Sequence, residues 1–161
     1  MFKRLLVPLD GSRFASRALR YAAEVAQRFS AEVILIQVIK PATSIIDAAT
    51  PIGISPAGSE IAVQAALEAD KRNTARARRY LSGKVRAMRS RHLQSWYRVL
   101  MGDIAHSIME FSEKENVDLV IMTTHGKSGL RRAVMGSIAD VVIRESGRPV
   151  LVIRPQTSSK K

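Results

Sequence analysis

No cysteine occurs among the 161 residues, which excludes disulfides, thiolate zinc sites, iron–sulfur clusters and a cysteine nucleophile. Histidine is scarce. His92, His106 and His125 are scattered, with no i, i+4 pair and no carboxylate cluster beside them, so no dedicated metal site is expected. No apolar run approaches the roughly 20 residues that span a bilayer. The run Leu5 to Leu9, behind Met1-Phe2-Lys3-Arg4, is too short for a signal sequence and is stopped by Asp10-Gly11. The expectation is therefore a cytoplasmic protein without a transmembrane segment. Acidic residues are missing from Lys71 to Gly102, where much of the +12 net charge sits. From Lys71 to Arg91 that stretch also lacks the interleaved exposed aromatics that stack bases. It reads as a solvated helix face, with a nucleic acid or an anionic membrane as the lesser reading.

What is present alternates. Phe2 to Leu9 is an apolar run broken by Asp10-Gly11-Ser12 and reads as a buried strand. Ser12 suits an N-cap, and Phe14, Ala18, Leu19, Ala22, Val25, Ala26 and Phe29 recur at helical spacing, a face that should lie on a sheet. Ala31 to Ile39 is a second strand, apolar almost throughout, of the kind covered on both faces. From Pro41 to Ser59, prolines and glycines argue against regular structure, and the stretch reads as a lid or contact loop or as a disordered insert. Glu60 to about Arg91 is helical, with Thr74, Ala77, Leu81, Val85 and Met88 along one stripe. Arg72, Arg79 and Arg86 lie opposite, Lys71, Arg78 and Arg89 on a flank, and Gly83 is a point of bending or early ending. Gln94 to Met101 is a third strand. Asp103 then caps a helix whose core positions are Ile104, Ile108 and Phe111. Val117 to Met122 is the fourth strand, and the last helix opens on the capping pattern Ser137-Ile138-Ala139-Asp140 and ends at Gly147. Val150 to Ile153 is the fifth strand. Strands alternating with crossover helices predict an α/β fold over residues 1–155, a single doubly wound five-stranded parallel sheet with helices on both faces, and residues 156–161 as a disordered tail.

In such sheets ligands bind beyond the C-terminal strand ends, where the winding reverses. The loops after strands one and four carry the unusual residues, Asp10-Gly11-Ser12 and Thr123 to Ser137, so those strands are expected to be neighbours. Gly126, Gly129 and Gly136 let backbone N–H groups approach an anion, and the following helix N-terminus adds positive potential. The same glycines also suit a tight connection with no ligand. A Walker loop is excluded, because Ile121 stands where its first glycine would be. His125, without a carboxylate to orient it, reads as a loop residue rather than a general base.

These stretches together resemble the universal stress proteins, whose nucleotide-binding members carry G-x2-G-x9-G-[ST]. Here the nine-residue gap runs from Lys127 to Met135, Gly136-Ser137 closes the motif, and Thr123 stands in place of its first glycine. The likeness extends from Leu6-Val7-Pro8-Leu9-Asp10-Gly11-Ser12 through Gly102-Asp103 and Val117 to Val120 to Arg148-Pro149-Val150-Leu151-Val152. It implies strand order 3-2-1-4-5, dimerisation and binding of ATP or AMP, with Mg²⁺ as an accompanying ion. By the same resemblance Pro8 shapes the pocket, Asp10 holds ribose or adenine, and Val38 meets adenine through its backbone. Gly126, Gly136, Ser137 and Ile138 offer N–H groups to phosphate, Lys127 adds a cation, and Thr123 stands beside the ribose. Asp10 and Ser137 also suit helix caps. The fifth strand, apolar at Val150, Leu151, Val152 and Ile153 and flanked by Pro149 and Pro155, is the expected homodimer edge. The leading expectation is an adenine-nucleotide-binding regulatory stress-response protein whose state a protein partner reads. The alternative is a slow ATPase or nucleotide-transfer enzyme in which Asp10 holds Mg²⁺ and Lys127, Arg131 and Arg132 stabilise charge. No complete catalytic set is visible, so binding leads.

Overall fold

The computed structural model describes residues 1–42, 44, 56–124 and 136–154, with the backbone alone for 56–59. The strands are β1 (Arg4–Pro8), β2 (Glu32–Ile39), β3 (Ser95–Met101), β4 (Leu119–Thr123) and β5 (Val150–Ile153). Between them lie α1 (Ala18–Phe29), α2 (Pro56–Arg89), α3 (Ile104–Lys114) and α4 (Ser137–Glu145), with a 3-10 turn, Ala15–Arg17, before α1. All pairings are parallel and the order is β3-β2-β1-β4-β5. Strands β1 and β4 are therefore adjacent at the winding reversal, as the sequence predicts. No helix among the described residues is long and apolar enough to cross a membrane.

Alternation along the strands divides the core in two. Leu5 and Val7 of β1 join Val33 and Leu35 of β2 beneath α1 and α2, while Leu6, Ile34 and Ile36 face α3 and α4. Both faces are buried, which is why the strands read as continuous apolar runs. The helices differ in how they cover the sheet. Helix α1 buries only Ala18, Ala22, Ala23 and Ala26, whereas α2 lays down Ala77, Leu81, Val85 and Met88. Phe14 and Phe29, expected on the core face of the first helix, are 39% and 36% exposed. Phe29 meets Phe2 edge-on at 5.3 Å, and Arg17 covers the Phe14 ring at 5.3 Å. The small alanine face brings the helix close to the sheet and leaves the large rings at its margins.

Two boundary expectations change. Helix α2 begins at Pro56, ahead of Glu60, because proline at the first helical position sacrifices an N–H that would have no helical partner anyway. Gly83 does not end it, since the helix continues to Arg89. Most of the stretch expected as a lid or insert, and the expected tail, lie outside the described residues.

The two sheet edges are finished differently. Val33 N–H bonds the Gln94 carbonyl and Gly102 N–H the Ile39 carbonyl, so odd-numbered residues of β3 turn their backbone groups away from β2. At that edge Arg89 donates from Nε (3.0 Å) and Nη2 (2.8 Å) to the Ser95 carbonyl. Arg89, expected on a solvated basic flank, thus closes part of an open edge. On β5 the ladder uses the carbonyls of Pro149 and Ile153, so Val150 and Val152 turn outward.

Candidate functional site

At the C-terminal end of the sheet, Asp10 follows the last residues of β1. Its Oδ1 accepts the Ser12 N–H at 2.8 Å, a side-chain turn that redirects the chain, and Gly11 takes φ 84, a left-handed value suited to glycine. Ser12 Oγ accepts the Ala15 N–H at 3.0 Å, so Ser12 bonds the first residue of the 3-10 turn, whose N-cap is Phe14, rather than capping α1 itself. Ser16 Oγ donates to the Ser12 carbonyl at 2.9 Å and shares a hydrogen bond with the Tyr80 hydroxyl 2.8 Å away. This chain of bonds ties the Asp10 loop to α2. Burial raises the Tyr80 pKa, the Ser16 hydrogen bond opposes that shift, and the negative charge of Asp10 adds to it.

The other wall is made by the end of β4 and the start of α4. Thr123, the last residue of β4, is 7% exposed. Thr124 N–H donates to the Ile153 carbonyl (3.2 Å), and Gly136 N–H donates to the Thr124 carbonyl (2.8 Å). Thr124 is thereby held to β5, and Gly136 to Thr124. The capping pattern resolves one position earlier than expected. Gly136 is the N-cap, with φ −64 and ψ 143 and no side-chain cap, and Ser137 is the first helical residue. The first intrahelical bond runs from Asp140 N–H to the Gly136 carbonyl. The N–H groups of Ser137, Ile138 and Ala139 consequently have no partner within the helix. The Gly136 N–H, expected to face phosphate, is engaged by Thr124.

Between these walls lies a cleft of about 540 Å³, a size that accepts a small-molecule ligand. Pro8, Asp10, Val38, Thr123, Gly136, Ser137 and Ile138 all line it, so residues far apart in sequence meet at one place. Gly126 and Lys127 lie outside the described residues, as do His125, Arg131 and Arg132. Sequence reasoning missed Gln37, Lys40, Thr124, Asn73 and Arg76, which also line the cleft. Gln37 was detectable as the one polar residue inside the apolar run of β2. Asn73 and Arg76 carried no signal, because on α2 they are indistinguishable from solvated positions until the helix is laid over the sheet. Among the described residues no group of three His, Asp or Glu side chains gathers as a metal site.

The sequence profile of the universal stress protein family matches residues 1–154. A universal stress protein of Methanocaldococcus jannaschii, MJ0531, is 31% identical over 159 residues, covering 96% of this chain and 83% of its own. Among solved structures, the hypothetical protein MJ0577 superposes with a TM-score of 0.79 at 26% identity, over 98% of this chain and 99% of its own. A universal stress protein from Archaeoglobus fulgidus in complex with dAMP superposes with a TM-score of 0.63 at 17% identity, covering 95% and 98%.

Proposed function

The chain belongs to the universal stress protein family, and on that premise we propose that it is a regulatory stress-response protein that binds an adenine nucleotide, ATP or AMP, in the cleft beyond β1 and β4. One observation carries the reading: Ser137, Ile138 and Ala139, the first-turn residues whose N–H groups have no partner within α4, line a ligand-sized cleft at the winding reversal. Such amides favour an anion, and the α4 dipole adds about 0.3–1 kcal/mol per charge. The Ser137 hydroxyl, not used as a cap, is a further phosphate donor. Asp10 keeps one carboxylate oxygen for its turn and sits between the walls, where a ribose hydroxyl can donate to it. The dAMP held by the relative from Archaeoglobus fulgidus supports the same ligand class. Among the described lining residues Asp10 is the carboxylate, so Mg²⁺ would enter with a polyphosphate rather than wait in a prebuilt cage. Gly126 and Lys127 are proposed to complete the phosphate end.

The test is thermal unfolding with AMP, ATP and Mg-ATP. At nucleotide a hundredfold above its dissociation constant, binding stabilises the fold by about 2.7 kcal/mol. That corresponds to a rise of roughly 5–11 °C for a domain of this size. An unmoved melting point with all three, and no heat in calorimetry, refutes the reading. We further propose a homodimer through β5. Its Val150 and Val152 backbones face outward and Leu151 is 37% exposed, whereas the opposite edge is partly closed by Arg89. A monomer mass by light scattering at tens of micromolar, with and without nucleotide, would exclude it.

A further inference from the structure

Gln37 sits near the end of β2 on the face shared with Leu35, toward α2, and lines the cleft. Its Oε1 is buried and has no hydrogen-bond partner among the described residues. Leaving a buried acceptor unpaired is costly, and the residue that bears it lines a ligand-sized cleft from which a donor can arrive. Its Nε2 lies toward the Gly11 turn, 3.8 Å from where a Cβ on that residue would stand. The terminal amide torsion of glutamine is soft, so a half-turn exchanges oxygen and nitrogen without moving the strand.

Strand spacing acts as a ruler for what could donate. Neighbouring strands are about 4.8 Å apart, so β2 stands roughly 10 Å from β4, beside whose end Gly136 leads into α4. Asp10, two residues past the end of the intervening β1, lies between them in the strand order. Phosphate at α4 and ribose at Asp10 leave Gln37 opposite the nucleobase, not the sugar. Phosphate has no donor to offer, but a 6-aminopurine has one on its exocyclic amine. Resting on the adenine-nucleotide reading above, we infer that the Gln37 side-chain oxygen accepts a hydrogen bond from the 6-amino group, making Gln37 a specificity-determining residue at the base end of the cleft.

The experiment is calorimetry with AMP and with purine riboside 5′-monophosphate, which differs only in lacking the 6-amino group, against the native protein, Gln37→Leu and Gln37→Met. The native protein should bind AMP about three- to tenfold more tightly, and both variants should bind the two ligands within twofold of each other. Equal binding by the native protein, or a preference that survives both substitutions, overturns the inference while leaving the nucleotide reading intact. Failure of the native protein to bind either ligand refutes both. Should the variants not fold, the native protein labelled with ¹⁵N decides: the Gln37 side-chain amide resonances must shift more with AMP than with the purine analogue, and equal shifts overturn the inference.

Discussion

Two aspartates at opposite ends of the sheet show how place decides the use of one side chain. Asp118, just before β4, accepts the N–H groups of both Lys3 (2.7 Å) and Arg4 (2.9 Å) on one oxygen. Its carboxyl is held below the usual range, first by the Lys3 N–H bond, which outweighs the opposing burial, and also by the Arg4 N–H. Arg4 Nη1 adds a 2.6 Å bond to the Glu115 carbonyl. This end of the sheet is tied shut. Asp10, past the end of β1, accepts one N–H and borders an open cleft. The N-terminal end of the sheet is devoted to holding the chain, and the C-terminal end keeps polar groups available.

Substitutions at the two ends should separate binding from stability. Gly136→Val has the largest expected effect, removing the full nucleotide-dependent rise of about 2.7 kcal/mol. Because Gly136 has φ −64, a value any residue adopts, the loss reports space at the phosphate end and not backbone strain. Asp118→Ala should lower stability by about 1–2 kcal/mol in urea unfolding, discounted for its partial exposure, and leave nucleotide affinity unchanged. Its pH dependence has a definite sign. The folded-state pKa lies below the ordinary 3.8, so the stabilisation is complete above that value and disappears as pH falls through the folded pKa. The difference between native and variant should accordingly vanish in strong acid. Asp10→Ala should show the reverse profile, a roughly tenfold loss of AMP affinity with less than about 1 kcal/mol of stability. Equal stability losses at Asp10 and Asp118 would break the contrast. Tyr80→Phe, which deletes the bond to Ser16, is the smallest, about 0.5–1 kcal/mol, with a weaker effect on binding carried through the Asp10 loop.

Most of the fold was legible because burial on both faces writes continuous apolar runs into β1, β2 and β4, and glycine, proline and aspartate mark where they stop. The cleft was legible at its loops. Asp10 and the Gly136-Ser137 pair depart from core patterning, and departures of that kind point to sites. The start of α4 was misread by one residue, since Ser137 matches a capping pattern and only the helix geometry shows that Gly136 takes the N-cap.

The amino-acid sequence by itself determined the alternation of strands and helices, the family, and the two loops from which a site could be built. Those features depend on local chemistry and periodicity, which a linear string carries. Only the tertiary structure decided which groups remain available at the site. The Gly136 N–H is taken by Thr124, Arg89 is taken by the edge carbonyl of Ser95, and Gln37 Oε1 is left without a partner among the described residues. Whether a donor or acceptor is satisfied depends on what distant segments bring within about 3 Å of it, and that distance exists only once the chain is folded.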